Sequence, residues 1–384
     1  MKILGYEIKK PNAYIQPPKE HHVGTFSVVK SPTRILASDL TDFKAAIEAG
    51  RYNINQERSM IYDYYQTAID FDVTLNTAIN MRLLAATNRP IQYVDTEGNP
   101  IANADEFLQS PTFTAFIADY LLATRFWGMG LFEFGYSEFK GRRWFKYEKI
   151  PIKHIDPYNR LVRRKQNTPS VNDESWEGRS NVRFVGHPDL GGLLLQLSMV
   201  SIMKRAAMND WSSYCQLAGN NFMIIDYKGE LPDPFKREIA RGNLANIGRG
   251  IIDKLPNVDI ETRNLSSSSQ NALFENYVNY LDELTTKMVL GQTMTTKDGS
   301  SRSQAEVHER TQQTIFDDDA ASVLNFLNFE LYDLLPLWGL PLGGRFIYPM
   351  NATLKQAKQL EIDMKLKELG YIWTMDELKS RYSI

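Results

Sequence analysis

Residues 266–335 constrain the fold of this chain more than any other stretch. Ser266, Ser267, Ser268 and Ser269 supply hydroxyls suited to a helix N-cap. Leu273, Tyr277, Tyr280, Leu281, Leu284 and Met288 then recur at steps of three and four, which predicts a helix with one apolar stripe. The run GQTMTTKDGSS, residues 291–301, stops it, because Gly, Ser, Thr and Asp favour turns over helix interiors. A longer helix is predicted from Ser303, with Phe316, Ala320, Val323, Leu324, Leu327, Leu331 and Leu334 on one face and Pro336 as its end. A polar loop held between two long helices and lacking a catalytic constellation calls for a structural role.

The 384 residues suffice for a substantial core and two or three domains. With 43% hydrophobic and 23% charged residues the chain reads as globular. Lys and Arg number 44 against 46 Asp and Glu, a net charge of −2, which argues against a protein that grips nucleic acid by neutralising phosphates. A protein that encloses DNA without gripping it remains compatible. The single cysteine, Cys215, excludes an intrachain disulfide and a cysteine metal cluster, and is expected to be a small buried apolar residue. The start, MKILGYEIKKP, lacks the apolar core of a signal peptide. The most apolar run, 190–203, is too short to span a bilayer, which takes about 20 residues.

Residues 1–40, with Pro11, Pro17, Pro18 and Pro32, read as an extended arm, ordered only if something else holds it. His21 and His22 lack a cysteine or further histidine at ligand spacing and read as exposed polar residues. Helices follow at 42–50 and over 56–87, the latter two helices or one bent one. Arg89-Pro90 ends that region, 91–94 is a short strand, and Phe113 to Phe126 carry another apolar helix. Gly141 between two aromatic runs predicts a hairpin within 128–164. Arg160, Arg163, Arg164 and Lys165 form a basic cluster, read either as facing nucleic acid or an acidic partner or as a solvated strand edge protected by charge. A strand at 182–185 precedes a long helix over 190–219. Residues 220–265 then alternate strand (222–227), polar helix (233–246) and strands (250–252 and 258–262), with too little apolar content for a core of their own. Copies of this unit are expected to complete one another in an oligomer.

Several motifs together give the chain a family resemblance. They are Asp156-Pro157 after the hairpin, Gly191-Gly192-Leu193, Lys204-Arg205, Asn209-Asp210-Trp211 and Gly248-Arg249-Gly250-Ile251-Ile252. The most specific is Leu290-Gly291-Gln292-Thr293-Met294-Thr295-Thr296, a Gly/Ser run, then Ala305-Glu306-Val307-His308. Over about residues 120–335 the chain resembles portal proteins of the Mu-like tailed-phage family, with fewer glycines in the hinge than that family's pattern.

The resemblance implies an α+β, mainly helical portal fold. It would comprise an arm (1–40), a wing (41–191), a first stem helix (192–219), a clip (220–265), a second stem helix (266–290) and a tunnel loop (291–301). The long helix and return strand (302–350) would belong to the wing, and 351–384 would form a short helical crown. It further implies a homo-oligomeric ring, a dodecamer, at the capsid vertex, passing double-stranded DNA in packaging and ejection. Partners would be the large terminase subunit, head–tail adaptors and the major capsid protein, with no membrane. The location would be the virion, and the host cytoplasm during assembly. Gly291, Gln292, Thr293, Met294, Thr295, Thr296, Lys297, Asp298, Gly299, Ser300 and Ser301 would line the channel. Ile224, Ile225, Ile251 and Ile252 would make clip contacts between subunits. Lys297, Arg302, Arg160, Arg163 and Arg164 are the candidate contacts to DNA or a partner.

No catalytic residue, metal or cofactor is assigned. The run 291–301 lacks the glycine spacing and Lys-Ser/Thr pair of a phosphate cradle. Asp317, Asp318 and Asp319 suit a hard cation by chemistry, but consecutive helix positions point apart, so a solvated helix face is expected. Two rival classes remain: a DNA-processing enzyme or nucleic-acid-binding protein using the basic cluster, and a capsid or tail protein without DNA contact. A large ring under the microscope separates the portal from a monomer with divalent-dependent nuclease activity. Particles that still fill with DNA in the protein's absence would mark the third class.

Overall fold

A computed structural model describes residues 2–3, 6–7, 19–21, 26–29, 35–36, 39–52, 58–101, 104–139, 141–166, 168–189, 191–218, 222–227, 258–263, 268–292, 302–349 and 352–371. Its helices and strands alternate in the mixed, mainly helical manner expected.

A helical layer begins with α1 (Leu40–Tyr52), α2 (Ser59–Phe71) and α3 (Val73–Thr87). Asp72 makes α2 and α3 two helices rather than one bent one: its backbone is extended and its carboxylate accepts the Leu75 N–H at 3.1 Å, an N-cap. After α4 (Ala104–Leu108), α5 (Pro111–Leu121) starts at Ser110, whose hydroxyl accepts the Phe113 N–H, with Pro111 in the first turn where no N–H is needed. A π-helical turn, Leu122–Trp127, continues α5 and Gly128 stops it in the left-handed region (φ 90°).

Two small pairs of strands, β1 (Lys2–Ile3) with β2 (Tyr6–Glu7), and β4 (Gln92–Val94) with β13 (Arg345–Ile347), flank the main sheet in sequence. That sheet is built on β5 (Met129–Phe139), paired along one edge with β6 (Arg142–Lys149) through the Gly141 hairpin. Its other edge takes β10 (Val182–Gly186) and β3 (Lys19–His21), all antiparallel. The arm is therefore held by the sheet. Further along it, Phe26 is buried beneath the Arg179 guanidinium at 4.1 Å and the Val29 N–H donates to the Arg164 carbonyl at 2.9 Å. A small sheet of β7 (Ile155–Asp156), β8 (Leu161–Val162) and β9 (Glu174–Ser175) sits beside it.

Aromatic rings fill the space between α5 and the sheet. Phe116 meets Phe132, Phe134, Phe145 and Tyr147 edge-on at centroid distances of 5.3–5.6 Å.

From the wing, α6 (Gly192–Ala218) runs for 27 residues, about 40 Å. Gly192 (φ 61°) opens it where a Cβ would lie 2.1 Å from the Phe126 carbonyl oxygen, so only glycine fits. α7 (Ser268–Leu290) packs back along α6, Phe274 stacking on Trp211 near one end. Between them β11 (Phe222–Tyr227) pairs antiparallel with β12 (Val258–Arg263). The helix expected at 233–246 and the strand expected at 250–252 lie outside the described residues. α8 (Arg302–Asn325) packs against α3 and α5, and α9 (Ala352–Glu368) follows β13. The second crown helix expected near the end of the chain also lies outside the described residues.

Three sequence expectations change. Cys215 is exposed rather than buried, because α6 leaves the wing at this level and α7 covers only one of its sides. Pro336 does not end a continuous helix: α8 widens into a π-helical turn (Phe326–Glu330) and then tightens into a 3-10 turn (Tyr332–Trp338) containing Pro336. These adjustments let Phe326, Leu327, Leu331, Leu334, Leu335 and Trp338 all reach the aromatic core, so tertiary burial outweighs regular helix geometry. Thirdly, the run Asp317-Asp318-Asp319 is not uniformly solvated, because Asp319 is buried. Among the described residues no helix is long and apolar enough to cross a membrane.

Candidate functional site

The stop predicted after Leu290 is built by Gly291. Its φ is 75°, its N–H closes on the Lys287 carbonyl at 2.9 Å, and a Cβ there would lie 2.6 Å from Ile315 Cδ1 on α8. Gln292 Nε2 donates to Gln312 Oε1 at 2.6 Å, so the end of α7 is seated on the middle of α8. Arg302 is the first residue of α8. Thr293, Met294, Thr295, Thr296, Lys297, Asp298, Gly299, Ser300 and Ser301 lie outside the described residues.

Beneath this seat, arginines from the wing converge on α8. Arg82 of α3 forks onto Asp319, Nε at 2.6 Å and Nη2 at 2.9 Å from the two carboxylate oxygens, while its Nη1 donates to the Val289 carbonyl at 3.0 Å. Its guanidinium also lies 5.6 Å from the Phe126 ring centroid. Arg125 of the π-helical turn donates to Asp318 Oδ2 at 2.6 Å and places Nε 2.9 Å from Asp319, in ion-pair contact without hydrogen-bond alignment. Arg89 Nη2 donates to Asp317 at 2.8 Å, and this bond holds the Asp317 carboxyl below its ordinary range. The run Asp317-Asp318-Asp319 is thus not a plain solvated face. Asp319 is only 1% exposed, and each carboxylate receives an arginine from elements packed beside α8. Consecutive residues do point apart on a helix, and here a separate cation waits in each direction. Among the described residues no cluster of His, Cys, Asp and Glu is arranged to hold a metal.

A second buried cation ties α6 and α7 to the start of α3. Lys204 of α6 places Nζ 2.8 Å from Asp72, 3.2 Å from Thr74 Oγ1 and 2.5 Å from Asp282 of α7, the last an ion-pair contact without hydrogen-bond alignment. Burial opposes its charge, but the carboxylates of Asp282 and Asp72 outweigh that and raise its pKa above the ordinary value.

The basic cluster divides. Arg163 turns inward and donates to Asp156 Oδ2 at 2.6 Å. Burial opposes the Asp156 charge, yet hydrogen bonds from Asn159 and Arg163 prevail and hold its pKa below the ordinary range. Arg160, with a positive φ of 53°, faces solvent in an exposed pair with Glu177, and Arg164 is exposed. Of the residues expected to make clip contacts, Ile224 and Ile225 lie in β11 opposite Glu261 and Ile260, whereas Ile251 and Ile252 are outside the described residues.

The apolar stripe read on α7 splits along its length. Leu281 is buried and Leu284 and Met288 partly so, but Leu273 is 68% and Tyr280 56% exposed, with Tyr277 exposed between them. On α6, Met199 and Met208 are exposed as well. Sequence reading passed over Arg82, although a signal was present: Leu75, Ala78, Ile79, Arg82 and Ala86 share the buried face of α3 at steps of three and four.

The family model described as the portal protein of Mu bacteriophage matches residues 62–384. A search of curated proteins finds no match. Among solved structures, an HK97-family phage portal protein from Corynebacterium diphtheriae is similar at 13% identity, covering 76% of this chain and 96% of that one, with a TM-score of 0.44. A chain of the virion of a native gene transfer agent particle is similar at 12% identity, covering 89% and 99%, with a TM-score of 0.47.

Proposed function

The chain belongs to the portal-protein family of Mu bacteriophage, and from that premise we propose that it assembles as a closed ring, a dodecamer, at the capsid vertex. The ring's channel passes double-stranded DNA during packaging and ejection. One face of the assembly docks the terminase motor and later the head–tail adaptors, and the wing contacts the major capsid protein.

The observation that carries this reading is the row of exposed apolar side chains Leu273, Tyr277 and Tyr280 along one face of α7, with Met199 and Met208 exposed on opposite sides of the paired helix α6. A two-helix stem buries one side of each helix in the pair and leaves the other for neighbours. Neighbouring copies around a ring would cover this row, with a gain of about 25 cal/mol per Å² of apolar surface removed from water. Residues 220–265 form the clip and pair with the next copy, Ile224, Ile225, Ile251 and Ile252 supplying apolar contact. Residues 291–301 line the channel, with Lys297 and Arg302 touching phosphates transiently and Asp298 limiting the attraction. Arg160 and Arg164 remain candidates for contact with DNA or a partner from the outer wing. The net charge of −2 suits a channel through which a duplex must slide without being held.

Negative-stain imaging and mass photometry of purified protein test the ring and count its subunits; protein that stays monomeric, with no ring in assembled particles, overturns the reading. Deleting residues 295–299 tests the channel assignment. Rings should form normally, because the loop's flanks remain seated through Gly291 and Gln292. Genome packaging or retention should fall. A deletion variant that packages and keeps a full genome at the normal rate would make the loop a plain connector.

A further inference from the structure

We infer that Arg82 is a positioning residue that sets the end of the second stem helix against the wing helix, and that DNA packaging depends on this setting; the inference rests on the portal reading above. Arg82 bonds both partners at once. Two of its nitrogens bind the Asp319 carboxylate of α8 and the third binds the Val289 carbonyl in the last turn of α7. Carbonyls in a helix's last turn have no intrahelical partner, so each must be satisfied from outside. Gly291 takes that of Lys287, and Arg82 takes that of Val289 from a different layer of the fold.

The chemistry of the residue matters. A guanidinium is planar and holds several N–H groups in fixed directions, so it can fix an angle between two elements. An ammonium of similar charge can attract both but fixes no angle. Lys204 shows the contrast: it draws Asp72, Asp282 and Thr74 together around one nitrogen.

Beyond the bond to the Val289 carbonyl, stability gives little reason for the ion pair itself. A buried ion pair replaced by apolar side chains of similar volume is often neutral or stabilising. The site is almost dry, Asp319 and Val289 being buried and Arg82 nearly so, and its surroundings are Phe126 and the α3 stripe. Methionine at 82 and leucine at 319 would fill it. The specific product of the arginine is the geometry of the junction from which residues 293–301 depart.

The test uses the full chain with Cys215→Ser, carrying spin labels at Lys287→Cys on α7 and Thr314→Cys on α8, both exposed positions. Distances are measured in purified protein, and melting temperature, ring yield and DNA-filled particles are recorded alongside. The paired variant Arg82→Met/Asp319→Leu leaves no unpaired buried charge, because Arg125 keeps Asp318. Because it also strands the Val289 carbonyl, it should melt somewhat below the parent temperature and still form rings, yet show a broadened inter-label distance and a loss of DNA-filled particles. Arg82→Lys, which keeps the charge without the fork, should broaden the distance in the same way. A paired variant with parental distance width and parental DNA filling overturns the inference and leaves the portal reading intact. Parent protein that forms neither rings nor filled particles overturns the portal reading itself, whatever the variants do.

Discussion

In the wing, Phe116 is enclosed by Phe132, Phe134, Phe145, Tyr147 and Phe326, and Trp338 closes the same cluster with its indole N–H donated to the Gly135 carbonyl. On α6 and α7, Trp211 and Tyr214 pack on Phe274, while its neighbour Leu273 and, further along α7, Tyr280 lie in solvent. The wing completes its core within one copy of the chain. α6 and α7 are tied to their neighbours by buried cations, Lys204 near the middle of α6 and Arg82 at the end of α7, and expose apolar side chains elsewhere. In the proposed ring, such a helix pair would be held by its root and finished by its neighbours.

The sharpest way to break the comparison is to open the wing core. Phe116→Ala should cost about 3–5 kcal/mol, since it deletes a fully enclosed ring and leaves a cavity. Denaturant unfolding measures it, and a loss under about 1 kcal/mol would mean that the ring cluster contributes little.

Removing the stem's root comes next. Lys204→Met leaves Asp72 and Asp282 facing each other without their shared cation, at a cost of about 3 kcal/mol. Hydrogen exchange should localise the loss to the join of α3, α6 and α7 rather than to the β5–β6 hairpin. Uniform loss across both regions would contradict two separately supported parts.

A smaller effect depends on pH and belongs to the wing alone. Glu133 in the middle of β5 is 4% exposed, and burial pushes its carboxyl up from 4.5 to about 7, opposed by Asn181 and Arg179 and assisted by Glu148 and Glu174. A raised folded-state value means that the carboxylic acid form is favoured by folding. The stabilisation is therefore complete below pH 4.5 and disappears as pH rises through about 7. Glu133→Gln should flatten that part of the stability profile, read by melting temperature against pH. A variant with the parental slope would remove Glu133 as its source.

The smallest effect on the single chain falls on the exposed stem. Leu273→Ser and Tyr280→Ser should each change monomer stability by less than about 0.5 kcal/mol, as surface substitutions do. Ring yield should nonetheless drop, because the same side chains are proposed to be covered between copies. Unchanged ring yield would sharpen the comparison the other way, assigning assembly to the wing or clip.

Much of the architecture was legible along the chain. The stem helices, the stop at Gly291, the Gly141 hairpin and the strand at 222–227 all follow from local periods and turn chemistry. The candidate junction was legible only in part. Position 291 announced a boundary, but Arg82 is more than two hundred residues away from the Val289 carbonyl it binds. The same distance problem hid the partners of Asp317, Asp318 and Asp319, whose arginines come from α3, its C-terminal end and the π-helical turn.

By itself, then, the sequence determined most of the described helices and strands, stops such as that at Gly291, and that residues 273–288 carry one apolar stripe. Those properties arise from neighbours within a few residues, whose spacing fixes which side chains share a face. Only the tertiary structure decided that Cys215 is exposed, that Arg163 turns inward to Asp156, and that half of the α7 stripe has no cover within one copy. Burial and ion pairing depend on which distant element arrives beside a side chain. A stripe marks a surface to be covered, and packing alone settles whether this chain or the next one covers it.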